Sequence, residues 1–296
     1  MADNNNSECD GNCSSCPSAA GCNDPKKAES GIAKKVDMNV RHVILVLSGK
    51  GGVGKSTVST NLAMALSNKG YTTGIADMDI HGPNIPKMLG IEAEKLTSFD
   101  GKKISPVKIT GNLSVVSMAF LLPEKTSPVI WRGPMKNTAI KQFLEDTEWG
   151  ELDFLVVDLP PGTGDEALAV AQLAPNIAGA VIVTTPQEVA ILDSSKSVKF
   201  IEQVNLKVLG IIENMSGFTC PHCGEAIDLF GKGGGEKAAE ELNVPYLGSI
   251  PLDKEMCEAG DSGKPFIVRR DGTEQNKVTW QHVDDVMENI LKQIKD

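Results

Sequence analysis

A glycine-rich loop between a short apolar run and an amphipathic segment constrains this chain more than any other feature of its sequence. Residues 42–47 are almost continuously apolar, which predicts a strand buried on both faces. The loop at 49–56 follows directly, and Gly70 marks the end of the segment after it. That segment has apolar residues at helical spacing, at Val58, Leu62, Ala65 and Leu66. A strand, a tight loop and a helix in this order predict one unit of a parallel sheet.

The same alternation of strands and helices continues along the rest of the chain. Apolar segments predict further strands at 71–76, 154–157, 180–184, 208–212 and 245–250. Helical spacing predicts helices at 136–144, 188–204, 236–242 and 275–293, while the less regular residues 97–130 suit a small hairpin. Aromatic residues make up only 4 % of the chain, which favours an α/β fold over an all-β fold. We therefore predict a doubly wound α/β fold, with a mostly parallel sheet and helices on both faces.

The residue types of the glycine loop match the chemistry of phosphate binding. Glycines let backbone N–H groups converge on phosphate oxygens without a side-chain clash. The helix that begins near Lys55 points the positive end of its dipole at the same phosphates. Lys55 reaches the β- and γ-phosphates, and the Ser56 hydroxyl ligates Mg²⁺. We predict that a nucleoside triphosphate binds to Gly49, Lys50, Gly51, Gly52, Val53, Gly54, Lys55, Ser56 and Thr57.

Asp158 directly follows the predicted strand at 154–157 and is the candidate for a second Mg²⁺ ligand, acting through water. A strand-end aspartate that caps a helix is the alternative interpretation. Gly162 and Gly164 would let the following loop move as it senses the γ-phosphate. No Asn-Lys-x-Asp guanine-binding segment follows a late strand, so ATP is favoured over GTP. The chain is therefore predicted to be an ATP hydrolase.

Cys220 and Cys223 form a Cys-x-x-Cys pair in a segment that interrupts the alternation of strands and helices. This spacing lets two thiolates bind one metal from one tight turn, but it leaves a four-coordinate site half filled. A twofold axis would supply two more thiolates from a second chain. The site then suits either a [4Fe–4S] cluster or Zn²⁺, and the residues alone leave both open. A redox-active dithiol is a third interpretation, although no thioredoxin-like context surrounds the pair.

Residues 1–38 lack a hydrophobic period and are predicted to be a flexible tail that precedes a nucleotide-binding domain at 39–296. The tail carries four candidate ligands for a complete [4Fe–4S] cluster, with zinc as the alternative, at Cys9, Cys13, Cys16 and Cys22. The first three also match the spacing of radical S-adenosylmethionine enzymes, but the rest of the chain does not fit that class. Cys257 is predicted to be a buried apolar residue and not a ligand.

Charge and hydropathy indicate where such a chain works. The formal charge is −10, so its average surface repels nucleic acid, and no binding of nucleic acid is expected. No apolar stretch is long enough to span a membrane, and no signal-peptide core is visible. We therefore expect a cytoplasmic protein without a membrane partner. In the cytosol thiols stay reduced, which favours metal binding over disulfides for the seven cysteines.

The segment 50–57, with its extra lysine, resembles the deviant phosphate loop of the MinD/ParA/nitrogenase-iron-protein class. The resemblance implies that Lys50 reaches the nucleotide of a partner chain and that nucleotide promotes a homodimer. It also implies that Asp79, the second aspartate of the segment 77–84, orients the attacking water. Asn214 occupies the position that contacts adenine in related proteins, although a turn-forming asparagine is the alternative.

Together, the segments 50–57, 77–86, 158–165, 214–216 and 220–223 resemble the Mrp/ApbC family of iron–sulfur cluster carrier ATPases, close to its NBP-type scaffold branch. The resemblance covers about residues 38–290. It implies a labile [4Fe–4S] cluster shared between Cys220 and Cys223 of two chains and passed to apo-proteins. The tail resembles the ferredoxin-like motif of the scaffold branch, except that the gap from Cys9 to Cys13 is shorter. The rival hypotheses are an electron-transfer ATPase like the nitrogenase iron protein and a positioning ATPase with a structural zinc clasp.

Overall fold

The described part of the chain begins with the predicted strand–loop–helix unit. The computed structural model describes residues 35–97, 103–121, 133–220, 222–268 and 277–295. Strand β1 (Val40–Ser48) is buried from Val43 onward, and helix α1 (Lys55–Asn68) packs its apolar residues against the sheet. The four predicted tail ligands Cys9, Cys13, Cys16 and Cys22 lie outside the described residues.

The remaining elements alternate between strands and helices. In chain order they begin with β2 (Thr73–Asp77), α2 (Ile85–Met88), β3 (Val107–Thr110), β4 (Leu113–Ser117), α3 (Gly133–Glu145), β5 (Leu152–Asp158) and α4 (Asp165–Leu173). They continue with β6 (Ile177–Thr184), α5 (Glu188–Gln203), β7 (Val208–Thr219), β8 (Ala226–Ile227), α6 (Gly234–Glu241), β9 (Tyr246–Leu252), α7 (Lys254–Asp261) and α8 (Lys277–Lys295). Of these helices, α2, α4 and α7 are additions to the sequence prediction, since all three are short and their apolar periods are brief.

The described strands form a single mixed sheet in the order β3-β4-β2-β5-β1-β6-β7, with β9 and the short β8 both paired to β7. The pairs β3–β4 and β7–β8 are antiparallel and all the others are parallel. From β1 the chain crosses over β5 to reach β2, and from β5 it crosses over β1 to reach β6. The connections therefore diverge between β1 and β5, and a ligand crevice is expected at the carboxyl ends of these two strands.

Helices cover both faces of the sheet, which confirms the predicted doubly wound α/β fold. Helices α1, α7 and α8 contribute buried residues such as Leu62, Met256 and Ile290 to the core on one face. Helices α3, α4, α5 and α6 contribute to the core on the other face, with Phe143 and Val170 among their buried residues. Among the helices that the structure describes, none combines the length and apolar character needed to cross a membrane.

Two segments differ from the sequence prediction at their boundaries. Val36, assigned to the flexible tail, is buried and donates its N–H to the carbonyl of Leu173 at 2.9 Å, so the described end of the tail packs on α4. Strand β7 continues to Thr219 instead of ending at Ile212. The extended backbone of this strand is interrupted at Met215, which has a left-handed conformation. Pairing with β9 resumes beyond that kink. The prediction that Asn214 lies after the strand is therefore wrong, because a kink inside the strand resembles a strand end in the sequence.

Candidate functional site

The glycine loop leaves the carboxyl end of β1 and turns directly into α1. Gly52 and Gly54 have φ of 81° and 83°, a left-handed conformation that glycine adopts without a Cβ clash. No side chain caps α1, and its first turn contains no acidic residue. The first N–H groups of the helix are therefore left without a side-chain acceptor and are available to an anionic ligand. A cavity of about 390 Å³ lies against this loop.

Lys55, the first residue of α1, lines this cavity and is only 6 % exposed. Its Nζ lies 2.9 Å from Asp158 Oδ2 and 3.9 Å from Asp79 Oδ2. Beyond these two ion pairs, the buried ammonium has no hydrogen-bond partner in the described part of the chain. An ammonium has three N–H donors, so this buried group gains from a ligand that supplies further acceptors. Phosphate oxygens are the acceptors that fit this position.

Asp158 is fully buried at the end of β5 and organises the hydroxyl groups of α1. Ser56 Oγ donates to Asp158 Oδ2 and Ser59 Oγ donates to Asp158 Oδ1, both at 2.7 Å. A hydroxyl and a carboxylate in direct contact are the oxygen donors that Mg²⁺ prefers beside a phosphate. The donor set therefore fits the predicted Mg²⁺ site. Ser59 was not predicted, although it stands one helical turn after Ser56 and faces the same carboxylate.

Two aspartates lie at the carboxyl end of β2, Asp77 as its last residue and Asp79 in the loop after it, and they have different surroundings. Asp79 Oδ1 accepts hydrogen bonds from the N–H groups of His81 and Gly82, each at 3.1 Å, so its loop holds this carboxylate in place. Asp77 is fully buried and accepts a hydrogen bond from Ser117 Oγ at 2.7 Å. Burial, together with the neighbouring carboxylate of Asp158, raises the pKa of Asp77 to about 8. Asp79 lines the phosphate-loop cavity whereas Asp77 does not, so Asp79 is the better placed of the two to orient water.

Asn214 joins the late strand β7 to the glycine loop. Its Nδ2 donates to the carbonyl of Val53 at 2.9 Å, and the side chain is buried. A second cavity of about 370 Å³ lies beside the first and is lined by Asn214, Met215, Pro251 and other residues of β9 and α7. The two cavities share Thr57 and two other lining residues. The predicted adenine contact of Asn214 is therefore compatible with a base in the second cavity, although the amide already has one partner.

Cys220 and Cys223 lie together in the tight turn that follows β7. The N–H of Cys220 donates to the carbonyl of Glu225, and the N–H of Gly224 donates to the carbonyl of Cys220, both at 2.9 Å. Hydrogen bonds from the backbone N–H groups of Cys223 and His222, and from the Cys223 side chain, lower the pKa of the Cys220 thiol. Backbone N–H groups directed at a thiolate favour metal binding. Cys223 is exposed, and the described residues contain no third ligand close enough to complete a site.

Glu213 fixes the far end of the cysteine segment and was not predicted from the sequence. It is fully buried on β7 and accepts hydrogen bonds from Ser216 Oγ and from the N–H groups of Gly233 and Gly235 at the start of α6. A carboxylate at a helix N-terminus is favourably placed. The only sequence signal was a glutamate at the end of a buried apolar run. The residues from Ser216 to Gly233, including the cysteine pair, are thus attached at both ends to the same carboxylate.

The structure places the remaining predicted residues as follows. Lys50 lines the phosphate-loop cavity and is half-exposed. Gly49 has no room for a side chain, because a Cβ would overlap the backbone of α5 at Asp193. Cys257 is exposed on α7, where it lines the second cavity, so the prediction of a buried residue is wrong. Its helix buries Met256 and Ala259 instead.

Alanine substitutions at two glycines of the loop are expected to have different effects on stability. Both residues have positive φ, so each substitution costs about 1–2 kcal/mol of backbone strain. A Cβ at Gly52 meets nothing within 4 Å, whereas a Cβ at Gly54 overlaps Asn214 Nδ2. We expect Gly54→Ala to lower the free energy of unfolding clearly more than Gly52→Ala. Urea unfolding without nucleotide measures the difference, and equal losses would contradict the contact between Gly54 and Asn214.

Comparisons with known proteins agree with this site. The family described as ParA: NUBPL iron-transfer P-loop NTPase matches residues 39–291. The chain is 52 % identical over 265 residues to an iron-sulfur cluster carrier protein of Methanocaldococcus jannaschii, which covers 88 % of this chain and 91 % of the relative. It is 46 % identical over 255 residues to the cytosolic Fe-S cluster assembly factor CFD1 of Saccharomyces cerevisiae, which covers 82 % of this chain and 86 % of the relative.

Solved structures share the fold. The nucleotide-binding protein from Archaeoglobus fulgidus in complex with ADP is similar with a TM-score of 0.66 and 39 % identity, over 76 % of this chain and 88 % of that chain. The MinD cell division protein of Aquifex aeolicus matches with a TM-score of 0.59 over 85 % of this chain and 97 % of that chain, but at 21 % identity it shows the fold alone.

Proposed function

Because this chain belongs to the NUBPL iron-transfer family of P-loop NTPases, we propose that it is an ATP-dependent carrier that assembles a [4Fe–4S] cluster and transfers it to apo-proteins. One observation carries the proposal. A phosphate site with a buried lysine held between two carboxylates and a half-complete pair of metal-binding thiols lie on the same domain, joined by strand β7. The names of the archaeal and yeast relatives support the same cargo, and the yeast name supports a location in the cytosol.

The cysteine pair supports a homodimer as the working form. Two thiolates occupy half of a four-coordinate site, and the described residues offer no other ligand nearby. A twofold axis that passes close to the exposed Cys223 brings four thiolates together. The half-exposed Lys50 is accessible to the nucleotide of the second chain in such a dimer. The predicted cluster on Cys9, Cys13, Cys16 and Cys22 would be a second, separate cargo site on the tail.

The charged groups of the crevice are those that hydrolysis of ATP requires. Lys55 neutralises the negative charge that develops on the β- and γ-phosphates, and the N–H groups of the loop and α1 donate to the same oxygens. Ser56 would ligate Mg²⁺ directly and Asp158 through water, and the ion would supply further charge neutralisation. Asp79 has one oxygen held by its own loop, which leaves Oδ2 to accept a hydrogen bond from the attacking water.

Strand β7 is the element that would couple the two sites. Asn214 on this strand contacts the glycine loop, and its neighbour Glu213 holds the helix that ends the cysteine segment. A shift of the glycine loop on nucleotide binding therefore acts on the strand that ends at Thr219, next to Cys220. The strain at Met215, which has φ of 58°, lies between the two ends of this path. Both sites then bias one structural element, as coupling requires.

Cluster transfer from a Cys220→Ala variant tests the proposal. We expect the reconstituted variant to lose transfer to an apo-ferredoxin acceptor, because one chain can then supply only one thiolate of the pair. Cys257→Ala is the control for loss of a thiol outside the pair, and its ADP binding is measured alongside because Cys257 lines the second cavity. Undiminished transfer from Cys220→Ala would exclude the pair as the carrier site. A cluster that is reduced and reoxidised without loss of iron would support the electron-transfer alternative instead.

A further inference from the structure

A lysine, a glutamate and a histidine from three separate segments meet beside the nucleotide crevice. Lys136 is on α3, Glu166 is in the first turn of α4, and His81 is in the loop after β2. Lys136 Nζ lies 2.6 Å from Glu166 Oε1 and 3.2 Å from His81 Nε2, and His81 Nε2 lies 3.9 Å from Glu166 Oε1. One lysine therefore bridges the loop that follows β2 and the helix that follows the β5 loop.

The contact between Lys136 and Glu166 is better shielded from water than an ordinary surface ion pair. The side chain of Glu166 is 8 % exposed and that of Lys136 is 17 % exposed. Burial opposes ionisation of the glutamate, but the hydrogen bond and charge of Lys136 prevail and hold the pKa of Glu166 below its ordinary value. The glutamate is therefore ionised at neutral pH, and its contact with Lys136 is poorly screened by solvent.

The bridge leads directly to the aspartate that we expect to orient water. The backbone N–H of His81 donates to Asp79 Oδ1, and the side chain of the same histidine contacts Lys136. On the other side, Glu166 Oε2 lies 3.0 Å from the position that a Cβ on Gly164 would occupy, so it also packs on the loop after Asp158. The loop that carries Asp79 and the loop that follows Asp158 are thus held against a common lysine on a third element.

We infer that Lys136 and Glu166 are positioning residues for ATP hydrolysis. They fix the position of the loop that carries Asp79 relative to the loop that follows Asp158. The inference rests on the proposed hydrolysis of ATP, but it does not depend on what cargo the protein carries. Neither residue lines the cavity at the glycine loop. Their loss should therefore affect the rate of the chemical step and leave the affinity for nucleotide almost unchanged.

Steady-state hydrolysis of ATP by the full-length protein, together with ADP binding, tests this inference. We expect Lys136→Met to lower kcat about ten- to a hundredfold, since a small misplacement of a catalytic group has effects of this size. The Kd for ADP should stay within about twofold of the wild-type value. Lys141→Met is the matched control, because Lys141 is on the same helix and makes an exposed pair with Glu145 at 3.6 Å.

Two further variants separate positioning from a general loss of structure. Lys136→Arg keeps the charge and should recover most of the wild-type kcat. Lys136→Met combined with Glu166→Gln should cost no more than the larger single effect, because the two residues act as one unit. A kcat for Lys136→Met equal to that of Lys141→Met, or an equal loss of ADP affinity, would overturn the inference. The wild-type rate in the same assay separately tests the proposed hydrolysis, and cluster transfer separately tests the proposed cargo.

Discussion

Replacing Cys223 by serine is expected to remove the [4Fe–4S] cluster that the nucleotide-binding domain (39–296) is proposed to bind after anaerobic reconstitution with iron and sulfide. Iron–sulfur clusters require soft thiolate ligands, and a serine hydroxyl is a poor substitute. With one thiolate left on each chain, a dimer supplies two ligands instead of four. The measurement uses a background in which Cys9, Cys13, Cys16 and Cys22 are serine, so that iron bound by the tail does not contribute. We call this background the tail-serine variant.

Cys257→Ser in the same background is the control for this loss. Cys257 lies on α7, and partial burial of its thiol, together with nearby carboxylates such as that of Asp253, raises its pKa. A raised pKa disfavours the thiolate that binds metal, so this variant should retain all of its iron. Equal iron in the Cys223→Ser and Cys257→Ser proteins would contradict the assignment of the cluster to the pair.

Replacing Lys55 by alanine is expected to reduce ATP hydrolysis by about a hundred- to a thousandfold, the range found when one preorganised donor to a developing charge is removed. Lys55 Nζ is buried, lacks a hydrogen-bond partner in the described part of the chain and lies 2.9 Å from Asp158. Without its cation, the site presents the buried carboxylate to the phosphates. Binding of ADP and hydrolysis of ATP should therefore both fall, as calorimetry and a phosphate-release assay would show.

Two other lysines sharpen the interpretation of this result. Lys254→Ala is the control, because this exposed lysine of α7 pairs only with Glu258 among the described residues, at 3.4 Å, and its loss should change neither quantity. Lys50→Ala should lower hydrolysis but leave ADP binding to a single chain intact, since Lys50 is predicted to act on the partner's nucleotide. Hydrolysis by Lys55→Ala at the wild-type rate would contradict the assignment of Lys55 to the phosphate site.

The parts of the site that were predictable from the sequence are those formed by neighbours in the chain. The apolar run before the glycine loop, the spacing of Lys55 and Ser56 and the strand before Asp158 all carry local patterns. Strands β1 and β5 are neighbours in the sheet, and the chain leaves them in opposite directions. A crevice therefore forms at their carboxyl ends. The α/β fold and the crevice at this point therefore follow from the alternation of strands and helices.

The contacts that were not predicted join residues far apart in the chain. Lys136 and Glu166 are 30 residues apart, and Lys136 and His81 are 55 residues apart, so no periodicity links them. Strand β7 extends past Asn214 because pairing with β9 resumes after the left-handed kink, which depends on a partner strand and not on local propensity. The clamp formed by Glu213 likewise depends on α6, which begins 21 residues later.

Native mass spectrometry of the reconstituted tail-serine variant tests the central claim most directly. The account predicts a dimer that carries one [4Fe–4S] cluster and separates into metal-free monomers when a chelator removes the iron. Because the cluster is shared between chains, no monomer should retain a cluster of its own. A cluster on each monomer, or a dimer that contains zinc and acquires no iron and sulfide, would contradict a bridging carrier site at Cys220 and Cys223.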